Sequence, residues 1–275
     1  MMTEYPKFSV LMSVYIKERP EYLQASLNSL VKQTVLPSEI VLVEDGPLSD
    51  ELNQVVEKFD EAYPKLFRIK KLSKNKGLGK ALNIGLLACE NELVARMDSD
   101  DIAVENRFAI QLTTMIREDL DIYGGQIIEF TNDIKNTLAK RIVPLQNNKI
   151  IKFAHKRNPF NHMTVMFKKS KIQMLGSYRT KPGYEDYDLW VRAIIAGLKL
   201  KNDPGILVYV RAGEDMVNRR GGIDYIKSII GMRMNFFKLG FYTKYDLFVT
   251  ISTSTLSAIL PTKIRYLFYY KVLRK

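Results

Sequence analysis

The sequence predicts an α/β fold, a mostly parallel central sheet flanked by helices, followed by a helical C-terminal extension. Three observations predict it. Short apolar runs alternate with helical periodicity over the first 130 residues, three carboxylates follow directly on one of those runs, and the last 60 residues turn basic and aromatic. A strand, helix, strand alternation implies parallel strands joined by right-handed crossovers, and such sheets take their ligands at the carboxyl ends of the strands.

The elements follow in order. Phe8 to Tyr15 reads as a buried strand, and Pro20 opens a helix whose Leu23, Leu27, Leu30 and Val31 share one face. Glu39 to Val43 is a second buried strand, closed by Glu44-Asp45-Gly46, and Leu52, Val55, Val56 and Phe59 mark the next helix. Arg68 to Leu72 is a third strand, Leu78, Leu82 and Leu86 line another helix, and Leu93 to Met97 is the fourth strand. A helix is expected from about Ala103 to Arg117. Beyond Phe130 the pattern loosens. Strands are expected at Thr137 to Val143, Met163 to Phe167 and Ile206 to Val210, with helices at Asn148 to Ala154, Lys169 to Leu175 and Glu185 to Ala196. The expected division is a catalytic unit over residues 1–215, with halves meeting near residue 130, and an extension over 216–275.

Composition excludes several classes. Of 275 residues, 46% are hydrophobic and 26% charged, which fits a globular chain and excludes disordered and collagenous ones. A single cysteine, Cys89, read as a small buried apolar residue, excludes a disulfide scaffold; with two histidines, His155 and His162, it also excludes a Cys/His zinc site. Any metal should be held by oxygen. The net charge is +12, and residues 216 to 275, with eleven Lys/Arg against Asp224 and Asp246, hold +9 of it. A basic excess confined to an apolar, aromatic tail fits an anionic membrane surface better than nucleic acid. Glu4 and Lys7 interrupt the N-terminus, so no signal peptide is read there, and the sixteen uncharged residues from Leu247 to Thr262 are short and hydroxyl-rich for a bilayer span.

The chemistry centres on Arg96-Met97-Asp98-Ser99-Asp100-Asp101. Three carboxylates within four residues repel one another, and an oxygen-seeking cation such as Mn2+ or Mg2+ relieves that repulsion while bridging the pyrophosphate of a bound nucleotide. Asp100 or Asp101 could also cap the following helix.

Ser13-Val14-Tyr15, Glu44-Asp45-Gly46, the run from Asn75 to Gly85 (NKGLGKALNIG), the Asp98 segment and Glu185-Asp186 occur in that order. Together they resemble the inverting glycosyltransferases of family 2, which have the GT-A fold. The stretches Asn161 to Phe167 and Gly183 to Arg192 are similar to the bacterial polysaccharide branch that includes the amylovoran enzymes. The resemblance implies a nucleotide-sugar site of Ser13, Tyr15, Asp45, Gly77, Lys80, Asn83, Arg96 and Asp98, with Asp45 accepting the uracil imide N–H and Lys80 facing phosphate. It implies Asp98 and Asp100 as metal ligands, Asp186 as the base that deprotonates the acceptor, and Glu185 beside it. His162, Trp190 and Arg192 are candidates for acceptor or phosphate, each also readable as structural. The implied reaction moves a hexose, galactose or similar, from a UDP-sugar to a lipid-linked saccharide during assembly of O-antigen, capsule or exopolysaccharide.

The implied location is the inner face of the bacterial cytoplasmic membrane, held peripherally through Lys263 to Lys275. A tail packed on the catalytic unit, or on a second subunit in a homo-oligomer, is the alternative. Two other functions stay open: nucleotidyl transfer to sugar phosphates, although no Gly-rich basic loop follows the first strand, and a non-enzymatic basic module that binds membrane or nucleic acid.

Overall fold

Strands β1 (Phe8–Val14), β2 (Glu39–Glu44), β3 (Phe67–Lys71) and β4 (Leu93–Asp98) lie in the order β3-β2-β1-β4 in the computed structural model, all parallel. The structure describes residues 5–179, 183–212, 222–260 and 264. Along β1, Val10, Met12 and Val14 enter one apolar core and Leu11 the other, as the two-residue period of a strand requires. The first core is closed by α1 (Pro20–Val31), α2 (Asp50–Ala62) and α4 (Arg107–Glu118), and the second by α3 (Leu78–Ala88) and α7 (Glu185–Ile195). Both faces of the sheet are covered. That is why β1, β2 and β4 read as mostly apolar runs rather than alternating ones. The register sets Ser13 on β1 opposite Asp98 on β4, so the strand ends that carry the acids and the first loop finish side by side.

The second half joins the same sheet. β6 (Ile122–Phe130), β8 (Met166–Lys168) and β9 (Leu200–Arg211) continue it in the order β4-β8-β6-β9, with β8 antiparallel to both neighbours and β9 parallel to β6. The short β5 (Ile102–Ala103) pairs with β9, and β7 (Thr137–Arg141) pairs with β6. Two short helices, α5 (Asn147–Ala154) and α6 (Lys169–Met174), connect these strands.

Three expectations need correction. The helix after the acids begins at Arg107, with Asn106 as its N-cap, so neither Asp100 nor Asp101 caps it; the intervening residues form β5 and a turn. β6 is an additional buried strand. Its Gly124 and Gly125 interrupt any apolar alternation, yet a Cβ at Gly124 would lie 2.4 Å from Asn202 Oδ1 and one at Gly125 2.4 Å from Leu207 Cδ1, so both are glycine because β9 approaches so closely. The segment Met163 to Phe167 is split between a 3-10 turn at His162–Thr164 and β8.

The C-terminal helices α8 (Ile223–Lys238) and α9 (Lys244–Ile259) form a hairpin. Met232, Phe236 and Tyr242 pack with Tyr187 and Val191 of α7 in a third apolar cluster. Arg233, counted above among the basic residues of the tail, is buried there: it donates to the hydroxyls of Tyr187 and Tyr242. No helix among the described residues is long and apolar enough to cross a membrane. The basic segment Lys263 to Lys275, residue 264 apart, lies outside the described residues.

Candidate active site

The acids at the end of β4 form the centre. One carboxylate oxygen each from Asp98, Asp100 and Asp101 lies within 4.8 Å of the others. Arg96, fully buried on the same strand, pairs through Nη1 with Asp98. Behind it, Arg107 Nη2 donates to the Arg96 carbonyl at 2.7 Å, and burial together with the Arg96 charge pulls its guanidinium down to about 9. Burial, then the charges of Asp98 and Glu18, push Asp100 up to about 7. Burial and the neighbouring Asp100 and Asp98 hold Asp101 well above the usual carboxylate range. Asp101 Oδ1 accepts the Arg211 N–H at 2.9 Å, whereas its buried Oδ2 has no hydrogen-bond partner. A buried oxygen left unpaired among carboxylates, in an all-oxygen donor set, fits a hard divalent cation.

The second part is the loop after β2. Asp45, buried at the strand end, accepts the Lys76 N–H at 2.7 Å and the Gly77 N–H at 3.0 Å, which fastens the start of α3 to β2. Gly46 has φ +97°, and a Cβ there would meet Asn75 N at 2.7 Å, so glycine alone permits the approach. Gly77 is the N-cap of α3 with φ +85°, Lys80 lies exposed one turn further on, and Tyr15 is exposed just past the end of β1.

The third part is the first turn of α7. Gly79 packs against it so tightly that a Cβ would lie 2.9 Å from Glu185 Cγ, which sets the N-termini of α3 and α7 side by side. Asp186 Oδ1 accepts the Tyr187 N–H at 2.7 Å, and Oδ2 accepts from Asn158 Nδ2 at 2.5 Å. Burial raises both acids above their ordinary values; for Asp186 the Asn158 hydrogen bond opposes this, and for Glu185 the Asp186 charge adds to it. A half-buried carboxylate raised in this way is a stronger base than a solvated one.

Tyr178 is buried within electrostatic reach of the acids of both β4 and α7. Its hydroxyl feels Arg96, Asp186, Asp98 and Glu185 together, and it hydrogen-bonds His162 Nε2 at 3.0 Å. Asn83 grips the same residue by its backbone, accepting the Tyr178 N–H at 2.8 Å and donating to its carbonyl, so its amide is engaged in holding that loop. Two other sequence candidates are engaged within the protein. Trp190 is fully buried against Phe160 and His162, and Arg192 is spent on Asp188, 2.8 Å away, and on the carbonyls of Leu175 and Ser177. Sequence reasoning missed Tyr178, Asn158, Glu18 and Arg107. Glu18 had a signal, an acid in the loop after the first strand; Tyr178 and Asn158 had none.

Comparison with known proteins agrees with this geometry. The family model described as glycosyl transferase family 2 matches residues 9–178. The amylovoran biosynthesis glycosyltransferase AmsE of Erwinia amylovora is 42% identical over 96% of this chain and 98% of its own length. An Escherichia coli UDP-Gal:alpha-D-GlcNAc-diphosphoundecaprenol beta-1,3-galactosyltransferase is 38% identical over 100% of this chain and 99% of its own length. Among solved structures, a Pyrobaculum calidifontis mannosyltransferase in complex with GDP-Man and Mn2+ superposes with a TM-score of 0.66 at 18% identity, over 96% of this chain and 75% of that one, which supports the GT-A fold. The chain is a glycosyltransferase of family 2.

Proposed function

We propose that this enzyme transfers a hexose, galactose or a close relative, from a UDP-sugar to a lipid-linked saccharide, with inversion at the anomeric carbon. The observation that carries the proposal is that the β1 and β4 ends lie in register, Asp45 after β2 holds the start of α3, and α3 packs on the first turn of α7, with buried Tyr178 feeling the acids of both β4 and α7. On the donor side, Ser13, Tyr15, Asp45 and the α3 N-terminus with Gly77 and Lys80 receive the nucleotide, since a helix N-terminus favours phosphate. Asp98 and Asp100, with Asp101 behind them, would hold Mn2+ or Mg2+, which when bound supplies positive charge to the departing diphosphate.

On the acceptor side, Asp186 takes the proton of the attacking hydroxyl. The hydroxyl oxygen forms its bond to the anomeric carbon as the bond from that carbon to the UDP oxygen breaks, and UDP leaves with the electron pair. No covalent enzyme intermediate is needed, so the anomeric configuration inverts. Asn158 orients Asp186, and Glu185 lies toward the acceptor. The names of AmsE and of the E. coli relative support a role in bacterial surface polysaccharide assembly at a membrane. Residues 1–215 are the catalytic unit of this proposal.

The test is a thermal-shift series with UDP, GDP, TDP and CMP, with and without Mn2+, followed by NMR of the product anomer. A UDP shift that requires metal, and an inverted product, are expected. A response to another nucleotide, or a retained anomer, would refute the donor or the mechanism.

A further inference from the structure

The hairpin of α8 and α9 turns one face inward and leaves the other apolar and basic. On α9, Tyr245, Phe248, Ser252, Leu256 and Ile259 recur at spacings of three and four residues and so share one helix face. Tyr245, Phe248, Leu256 and Ile259 are 75%, 72%, 66% and 67% exposed. On α8 the exposed series is Ile223, Lys227, Ile230, Met234 and Lys238, also at helical spacing. Opposite these stripes, Met232, Phe236, Thr250 and Ala258 are buried. Large apolar side chains are therefore presented together with Lys227, Lys238 and Lys244, while of the two acids in the hairpin Asp246 is engaged in the α9 capping box and Asp224 alone is exposed.

We infer that this face of the hairpin is the surface on which the enzyme lies against an anionic lipid layer. The inference rests on the lipid-linked acceptor reading and deepens it: it gives a location on the described fold, distinct from the segment Lys263 to Lys275. Charge decides among occupants. Two copies pairing through the same face would set lysines against lysines, whereas an anionic headgroup layer neutralises them and receives the apolar side chains between them. Nucleic acid would leave Phe248, Leu256 and Ile259 in water. The same hairpin contacts α7 through Arg233 on Tyr187 and through Asn235 Nδ2, which donates to Asp188 at 2.9 Å, so a surface held by α8 and α9 lies behind the helix that carries Asp186.

The experiment uses the full chain, vesicles of phosphatidylglycerol or of phosphatidylcholine, and two variants: Phe248→Ser/Leu256→Ser/Ile259→Ser, and Lys227→Glu/Lys238→Glu. The native protein should float with phosphatidylglycerol vesicles and at least tenfold less with phosphatidylcholine. Each variant should lose flotation at least tenfold while keeping its melting temperature and its turnover of a short soluble acceptor. Equal flotation of native and variant proteins overturns the inference. So does a large drop in melting temperature of the triple variant, which would mean that the chain itself covers this face, or a dimer in light scattering that the triple variant abolishes. Loss of transfer to both soluble and lipid-linked acceptors by the native protein would instead refute the glycosyl transfer reading and leave the flotation result standing.

Discussion

His162 Nε2 and the Tyr178 hydroxyl lie 3.0 Å apart, and the buried Tyr178 feels Asp98 on β4 together with Glu185 and Asp186 on α7. Burial, and then the charge of Arg96, push His162 well below its ordinary value of 6.5, so it is neutral at working pH. An unfolded chain would bind a proton at His162 that the folded one refuses. Stability should therefore fall as pH drops through about 6.5 and be fully present above it. Tyr178→Phe should cost about 1–3 kcal/mol in urea unfolding, because a buried ring nitrogen loses its partner. An imidazolium NMR signal from His162 near pH 6 would contradict the assignment.

Asp100 carries the metal prediction. Its proton is held up to about 7 by burial, Asp98 and Glu18, so without metal the folded protein binds that proton more tightly than the unfolded chain does. Stability of the metal-free protein should decline as pH rises from about 4 to about 7 through this group. Binding Mn2+ requires the carboxylate, so affinity should strengthen over the same range with proton release, measured by calorimetry in two buffers. Asp100→Asn should lower metal-dependent transfer by about 10² or more with unchanged circular dichroism. Full activity of the folded variant in chelator would remove the ligand role.

The parts of this enzyme legible in the sequence are those set by local pattern. β1 and β2 are covered on both faces, so they read as mostly apolar runs, and the Asp98 segment is recognisable because three acids at a strand end are costly without a partner. β6 was hidden since Gly124 and Gly125 owe their identity to Asn202, Phe160 and Leu207, far away in the chain. Arg192, a candidate for acceptor or phosphate that also reads as structural, pairs with Asp188 and two carbonyls of the Leu175 loop, a choice that only packing could make. Asn158 reaches Asp186 from a loop 28 residues earlier, a contact with no sequence period.

Asp186 carries the base prediction. Asp186→Asn keeps the Tyr187 N–H hydrogen bond within reach of its side-chain oxygen and removes the proton acceptor. Transfer should drop about 10² to 10⁴-fold. UDP affinity should stay within about twofold, since a base acts on the acceptor and not on the nucleotide. Asn158→Ala should give a smaller loss of kcat and move the pH at which activity rises upward, because burial of Asp186 remains while the hydrogen bond that opposes it is lost. Equal losses of UDP binding and of transfer in Asp186→Asn would reassign the residue to the donor.

Gly46 and Gly77 give a matched pair of tests for the loop that Asp45 holds. Both have positive φ, +97° and +85°, so a side chain strains each backbone alike, by roughly 1–2 kcal/mol. They differ in surroundings: a Cβ at Gly46 would strike Asn75 N at 2.7 Å and Lys74 C at 3.1 Å, while nothing lies within 4 Å of one at Gly77. Gly77→Ala should therefore show the strain alone. Gly46→Ala must also push the backbone of Lys74 and Asn75 away from β2, which stretches the hydrogen bonds from Lys76 and Gly77 to Asp45. Its melting temperature should fall further than that of Gly77→Ala, and its UDP affinity should fall at least fivefold more, both read from the same titrated thermal unfolding. Equal effects of the two substitutions would show that the close approach at Gly46 does not position the nucleotide loop.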